Sequence, residues 1–437
     1  MRPHYLPDAR FACAVALTWM IAMTAQPTEA MAMPDIVFDS GQGGILPSVG
    51  ADLRRMPGSS EKAIATHPDL DALVLVGMAG GGLTVSAPFP GGFQPRFSAV
   101  ADLDGNGRLD IVTTSPVTGR AYVIRQNADS SFTVGSALPI GINPFAPALV
   151  DLTGNGLPEI VAPIRGNSEV AILPNLGNGL FAAGTRVPTA ASPEHVALAD
   201  FDGDGVLDLA VVCAGANLIQ VFFGVQGEGG ITFPGQPVQL PTGSGPSGLI
   251  AIDLDGDGRP DLATASTGSS SVTIHYARPQ RTFEAGSYLF AGTAPQSLVA
   301  ADLNQSGYPD LIVANPGTQM LTILRNQGND SFVRTTRPMP FRPARVALLD
   351  LNGDGLPDLI ASSQTSHHVR ALLNQTPVAI CPGDVTGDRR VNLVDLNKVL
   401  TNFGSETSAG DANGDGVVNL ADLNLVLTNF GSVCGET

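Results

Sequence analysis

Asp253-Leu-Asp-Gly-Asp-Gly-Arg-Pro-Asp261, DLDGDGRPD, puts three carboxylates into five residues and a fourth four residues later. Two unit charges about 4 Å apart repel by roughly 4 kcal/mol at an effective dielectric of about 20. Crowding of this kind needs compensation, and it is no accident of one segment. DLDGNGRLD (102–110), DLTGNGLPE (151–159), DFDGDGVLD (200–208), DLNQSGYPD (302–310) and DLNGDGLPD (350–358) repeat it, with starts 48 to 53 residues apart.

A period of this size marks a repeat architecture, and propeller blades run about 40–50 residues. Each repeat has one internal order. An apolar run follows the acidic stretch (IVTT, IVAP, LAVV, LATA, LIVA, LIAS), and a second follows a short turn (AYVIRQ, VAILPN, IQVFFG, VTIHYA, LTILRN, VRALLN). Then come a Gly/Asn-rich turn, a Phe-bearing run and a fourth run leading into the next acidic stretch. Four short strands between such turns form one antiparallel sheet. Read from one acidic loop to the next, each repeat is one blade. HPDLDALVLVG (67–77) reads as a degenerate repeat that has lost its acidic loop, and PDIVFDSGQGGILPSVGADL (34–53) as the two strands missing from the last repeat. Both ends would then share a blade, and about seven periods fill residues 33–376. The expected fold is mainly β, a seven-bladed propeller.

Calcium takes six to eight oxygen ligands at about 2.3–2.6 Å. A tight loop can offer side chains at positions 1, 3 and 5, a backbone carbonyl at 7 and a carboxylate at 9. The six expected ligand sets follow. They are Asp102, Asp104, Asn106, Arg108 (carbonyl) and Asp110; Asp151, Thr153, Asn155, Leu157 (carbonyl) and Glu159; and Asp200, Asp202, Asp204, Val206 (carbonyl) and Asp208. The others are Asp253, Asp255, Asp257, Arg259 (carbonyl) and Asp261; Asp302, Asn304, Ser306, Tyr308 (carbonyl) and Asp310; and Asp350, Asn352, Asp354, Leu356 (carbonyl) and Asp358. Every loop has Gly at position 6, where a sharp turn needs positive φ. The Asp200 and Asp253 loops, with four carboxylates each, are expected to bind most tightly. The Asp151 and Asp302 loops, with two each, are expected to bind least tightly. This set of loops resembles the FG-GAP/VCBS repeats of integrin-alpha-like propellers, and the resemblance covers most of residues 33–376.

After a short linker (377–380), the pattern changes at Cys381. CPGDVTGDRRVNLVDLNKVLTNFGS is followed 27 residues later by GDANGDGVVNLADLNLVLTNFGS. The second copy contains a twelve-residue EF-hand-like loop: Asp411, Asn413, Asp415, the Val417 carbonyl, Asn419 (directly or through water) and Asp422. The first offers Asp384, Thr386, Asp388, the Arg390 carbonyl, Asn392 and Asp395, with Arg389 in place of the position-6 glycine. Each loop runs into a helix, with Leu393, Leu396, Leu400 and Phe403 near one face and Leu420, Leu423, Leu427 and Phe430 repeating it. No entering helix precedes either loop, and Asp holds position 12. The duplicated motif in 381–434 resembles a type I dockerin domain, a module that plugs into cohesin domains. That resemblance implies a cohesin-like partner contacted by Leu393, Val394 and Lys398 in one half and Leu420, Ala421 and Leu425 in the other. Leu393 and Leu420 fit core and interface equally well. Cys381 and Cys434 bracket the segment and can pair in an oxidising compartment, which would help a domain this small to fold.

The 437-residue chain has a formal charge of −17, the wrong sign for nucleic acid or an anionic membrane. Only 14% of residues are charged and 43% are hydrophobic, with 51 Gly and 34 Pro, which suits a turn-rich β protein with a real core. Eight Ca2+ ions would nearly cancel the net charge. Residues 1–32 read as a secretory signal: Arg2 and Arg10, the apolar run FACAVALTWMIAM (11–23), and Ala30-Met31-Ala32 for cleavage. No other stretch is apolar enough to span a bilayer, so an exported protein is expected. Cys213, inside LAVVCAG, reads as a buried thiol.

Two functions are expected from these features. The first is an exported calcium-binding propeller acting as a binding or adhesion module for a protein or glycan, attached through its C-terminal segment. The alternative is a secreted carbohydrate-active enzyme, such as a polysaccharide lyase. The chain has no HExxH, GxSxG or P-loop motif, and its only Trp, Trp19, lies in the signal. His195, five residues before Asp200, is the residue best placed to act as a base.

Overall fold

In the computed structural model, the described residues are the strands within 35–90 and the chain from 91 to 431. Residues 130, 329, 352–355, 364–367, 375–382, 384, 386–390, 406–409 and 413–416 are excepted. Residues 1–32, expected to be a secretory signal, and Cys381 and Cys434 therefore lie outside the described residues.

The repeats form antiparallel sheets arranged as a β-propeller. The Asp253 blade shows the pattern: Pro246–Ile252, Asp261–Ser266, Ser271–Arg278 and Thr282–Phe290, hydrogen-bonded in that order. Four further blades start with inner strands Phe97–Ala101, Ala148–Val150, Pro193–Ala199 and Ser297–Ala301. A sixth joins Pro343–Leu349, Asp358–Ser363 and His368–Leu372 to the N-terminal strand Asp35–Asp39, which pairs antiparallel with His368–Leu372. The inner strands pack beside one another around the ring.

Among the described residues the regular four-stranded blades number six, not the expected seven. Besides two small hairpins (Asn175–Gly177 with Leu180–Phe181, and Val225–Gly227 with Gly230–Thr232), a five-stranded sheet (Leu46–Val49, Lys62–His67, Ala72–Ala79, Gly82–Val85 and Phe89–Pro90) touches the inner strands at Phe97–Ala101 and Pro343–Leu349. The stretch 34–53 does not supply two strands to one blade. Its first strand closes the last blade and its second opens the five-stranded sheet. The sheets are also displaced by one strand from the loop-to-loop repeat, because the run leading into each acidic loop pairs with the run that leaves it.

The strand after each acidic loop is buried along its whole length, as in Glu159–Ile164, Asp208–Cys213 and Asp261–Ser266. Alternate residues of a strand face opposite sides, so this strand packs on both neighbouring blades. Ile160, Ala162 and Ile164 meet Val112, Val123 and Ile140 of the preceding blade, while Val161 meets Leu209 and Val211 of the following one. This is why the runs are continuously apolar. Cys213 is free and buried in the second of these cores, as expected, and burial pushes its thiol up to about 12.

Two short helices, α1 (Leu393–Thr401) and α2 (Leu420–Thr428), follow. Asn392 and Asn419 cap them in matching capping boxes with Asp395 and Asp422. Their core is Val391, Val399, Val418 and Val426, flanked by Leu396 and Leu423. The expected leucine face is therefore split. Leu393, Leu400, Phe403, Leu420, Leu427 and Phe430 are exposed.

Candidate metal centres

Each acidic loop joins the inner strand of a blade to the second strand. In the Asp200 loop, left-handed backbone at positions 4 and 6 (Gly203, φ 78°; Gly205, φ 84°) turns successive N–H groups inward. Gly203 N and Asp204 N donate to Asp200 Oδ1 at 2.7 and 3.1 Å, and Gly205 N donates to Oδ2 at 2.8 Å. The other described loops repeat this around Asp102, Asp151, Asp253 and Asp302. Position 4 was missed in the sequence, although Gly105, Gly154, Gly203 and Gly256 stand there. Gln305 adopts the same hand without glycine.

Position 9 has a second role that the ligand pattern did not reveal. Asp110, Glu159, Asp208, Asp261, Asp310 and Asp358 are all buried. Asp208 Oδ2 accepts Phe201 N–H at 2.9 Å and Oδ1 accepts Gly224 N–H at 2.8 Å. The residue 24 after each loop start donates to the same carboxylate in every blade: Gln126, Asn175, Gly224, Ala277, Asn326 and Asn374. The carboxylate thus clips the loop to the third strand. Where that residue is Asn, its side chain also crosses to the preceding blade: Asn175 Nδ2 donates to Leu103 O at 3.0 Å, Asn326 to Leu254 O at 2.7 Å and Asn374 to Leu303 O at 2.9 Å. The terminal Asn of VAILPN, LTILRN and VRALLN was the available signal.

Three loops bring carboxylate oxygens within 4.8 Å of one another: Asp102, Asp104 and Asp110; Asp200, Asp202 and Asp208; and Asp253, Asp255 and Asp261. Burial raises Asp110 and Asp208 to about 6 and Asp261 to about 7, with backbone N–H groups opposing and neighbouring carboxylates adding to the rise. Asp310 is raised to about 6, again chiefly by burial. Position 5 is partly engaged, since Asn106, Asn155, Asp204 and Asp257 accept the N–H of position 7. In the Asp302 loop Ser306 Oγ donates to the Tyr308 carbonyl at 3.3 Å, so that donor set is further weakened. Asn352 and Asp354 lie outside the described residues.

Arginines reach the two most acidic loops. Arg278 Nη1 lies 2.6 Å from Asp255 and 3.4 Å from Asp257, and Arg259 also pairs with Asp257. Arg281, from the next blade, lies 2.7 Å from Asp202 and 3.3 Å from Asp204 and covers the Phe223 ring. A positive group thus already sits against positions 3 and 5. The donor chemistry, all oxygen and largely carboxylate, fits a hard divalent cation.

The C-terminal loops follow the same logic. Asp395 accepts Val385 N–H at 3.0 Å and Asn392 N–H at 2.9 Å, and Asp422 accepts Ala412 and Asn419 N–H, each at 2.8 Å. Asp384, Thr386, Asp388, Arg390, Asn413 and Asp415 lie outside the described residues, while the Val417 carbonyl accepts Asn419 Nδ2–H at 3.0 Å. Leu393, Val394, Leu420 and Ala421 are exposed, Leu425 is half-buried, and Lys398 Nζ donates to the Val385 carbonyl.

The fold and its loops define a β-propeller built from acidic-loop repeats. The FG-GAP-like repeat model matches residues 102–162, 161–211, 256–313 and 302–361, so the chain carries FG-GAP-like repeats. No curated protein matches the chain. Solved structures share the fold at low identity. BBS1N, in a complex with ARL6DN, is 11% identical with a TM-score of 0.57, over 79% of this chain and 98% of its own. A protein of unknown function from Desulfotomaculum acetoxidans is 14% identical with a TM-score of 0.53, over 72% and 92%. A catalytically inactive virginiamycin B lyase from Staphylococcus aureus, bound to quinupristin, is 13% identical with a TM-score of 0.52, over 78% and 99%.

Proposed function

We propose that this chain is an exported, calcium-dependent binding module, with a propeller at 33–376 and a dockerin-like segment at 381–437 that attaches it to a cohesin-like partner. The observation carrying the calcium reading is the recurrence of one donor set. Three blades place three carboxylates within 4.8 Å at the same loop positions. Ca2+ would be held by positions 1, 3 and 9 with help from 5 and 7, and in the Asp200 and Asp253 loops it would displace Arg281 and Arg278 from positions 3 and 5.

Attachment is supported by the exposed apolar surface on α1 and α2. Leu393 is 64% exposed, Val394 58% and Leu420 61%, while the valines fill the core. Equivalent residues from both halves are therefore available to a partner. Lys398, bonded to Val385, would have to release that carbonyl to take part.

Binding is favoured over catalysis by His195. Burial, with Arg345 nearby, holds the ring down at about 3, so it is a weak proton acceptor near neutrality. Calorimetric titration of Ca2+ into chelator-treated full-length protein tests the proposal. Multiple sites with a rise in melting temperature are expected, and absence of calcium binding would overturn it.

A further inference from the structure

The inner strands end at the acidic loops and begin around a cavity of about 210 Å³. Its wall is one repeat position used six times. A proline stands seven residues before the first Asp of each acidic loop: Pro95, Pro144, Pro193, Pro246, Pro295 and Pro343. The residues that follow them, Arg96, Phe145, Glu194, Ser247, Gln296 and Ala344, all line the cavity. Arg345 and His195 join one position later, and Arg165 from the turn after Glu159–Ile164. The acidic loops vary little between blades, but this wall position differs in every one.

The charge here is opposite to that of the whole chain. Three guanidiniums face one carboxylate. Glu194 lies 3.3 Å from Arg165, whereas Arg96 and Arg345 have no ion-pair partner among the described residues. They rest on aromatic faces instead. Arg96 is 5.6 Å from the Phe97 centroid and 5.8 Å from that of Phe145, and Arg345 is 5.2 Å from Phe97. The two rings are themselves 4.8 Å apart. Burial and the Arg96 charge push Arg345 down to about 10, with Glu194 opposing, so the cavity holds like charges together at a cost.

We propose that this cavity binds the oxyanion group of an external ligand, a carboxylate, sulfate or phosphate, through Arg96 and Arg345 above the Phe97–Phe145 pair. Guanidinium forks match planar and tetrahedral oxyanions with two parallel N–H donors. Ser247, Gln296 and neutral His195 add uncharged polar groups around the anion. At about 210 Å³ the cavity falls below the roughly 300–1,000 Å³ of drug-sized pockets, so it takes a charged group on a small ring or chain. The proposal rests on neither the calcium loops nor the C-terminal segment, because the cavity lies at the other end of the inner strands.

The test is calorimetric titration of full-length protein, with no calcium added, at low ionic strength with galacturonate, sulfate, phosphate and neutral galactose. Binding of any of the three anions, with galactose silent, supports the proposal. A preference for galacturonate assigns a carboxylate ligand, and a preference for sulfate or phosphate assigns an ester. Arg345→Gln and Arg96→Gln should each weaken the preferred anion at least tenfold, with melting curves confirming the fold. Glu194→Gln, which removes the single carboxylate, should strengthen it. Failure of all three anions to bind the folded wild type would overturn the proposal, as would wild-type affinity in either folded arginine variant. Loss of calcium binding elsewhere would leave these results unaffected.

Discussion

Asp208→Ala tests whether the position-9 carboxylate holds the blade together in its own right. The substitution leaves the N–H groups of Phe201 and Gly224, now 2.9 and 2.8 Å from the carboxylate, buried without partners. Each orphan costs about 1–3 kcal/mol, so the gross loss is about 2–6 kcal/mol. Removing the carboxylate also brings relief. Burial, opposed by those N–H bonds and assisted by Asp202 and Asp204, raises Asp208 from 3.8 to about 6. At about 1.4 kcal/mol per pKa unit, that is a penalty of about 3 kcal/mol at pH 7.

The pH dependence has a definite sign. A carboxyl raised in the fold contributes stability that is fully present below the unfolded value of 3.8 and is lost as pH rises through about 6. At pH 5 the wild type has recovered about 1 kcal/mol relative to pH 7, so Asp208→Ala should cost about that much more at pH 5. Asp204→Ala is the control. Its carboxylate is half-exposed and pairs with Arg281, so the cost should stay within about 1 kcal/mol. Urea unfolding of the full chain in chelator, at pH 5 and pH 7, measures both. If Asp208→Ala unfolds at the same urea concentration as Asp204→Ala at pH 5, the carboxylate is a metal ligand only, and the clip is wrong.

Chelator should lower the melting temperature of the propeller by several degrees, since each site at 100 times its dissociation constant adds about 2.7 kcal/mol; an unchanged melt would refute the calcium reading. Arg281→Ala should tighten calcium at the Asp200 loop, because the guanidinium no longer competes for Asp202 and Asp204; weaker binding would mean that the arginine helps to shape the site. Leu393→Asp with Val394→Asp should leave binding to a cohesin-like domain intact, and adding Leu420→Asp and Ala421→Asp should abolish it, as read by pull-down with calcium. Unreduced peptide mapping of exported protein should find Cys381 joined to Cys434 with Cys213 free; a bridge to Cys213 would contradict its burial.

The blades were legible because their acidic loops recur at fixed positions. Where one sheet ends and the next begins was not, because a repeat has no intrinsic start. The run before a loop and the Phe-bearing run are both short, half-polar strands, and only hydrogen bonding assigns the first to the blade of the loop it enters. The blade count failed for a related reason. The five-stranded sheet has no acidic loop, and its edge pair Phe89–Pro90 has no counterpart in the other repeats. In the C-terminal segment the 3.6-residue spacing marked a leucine stripe but could not say what covered it. Val391, Val399, Val418 and Val426 fill the core of these short helices, leaving Leu393 and Leu420 outside.

The acidic loops attract the eye because they are alike, and their likeness has a structural cause. Position 9 accepts the N–H of the residue 24 after the loop start in all six blades, and that of position 2 in the Asp102, Asp151, Asp200, Asp253 and Asp350 loops, which fixes an acid there, Glu159 included. Residues held constant by such a task cannot distinguish one ligand from another. The position after each proline is under no such demand, since the proline and the strand behind it set the backbone while the side chain faces the cavity. It can be Arg, Phe, Glu, Ser, Gln or Ala without disturbing a blade. In a repeat protein the search for specificity therefore belongs at positions that share a place in the fold but not a residue type. Here that criterion leads from the acidic loops to Arg96 and, one position later in its own repeat, Arg345 at the opposite end of the inner strands.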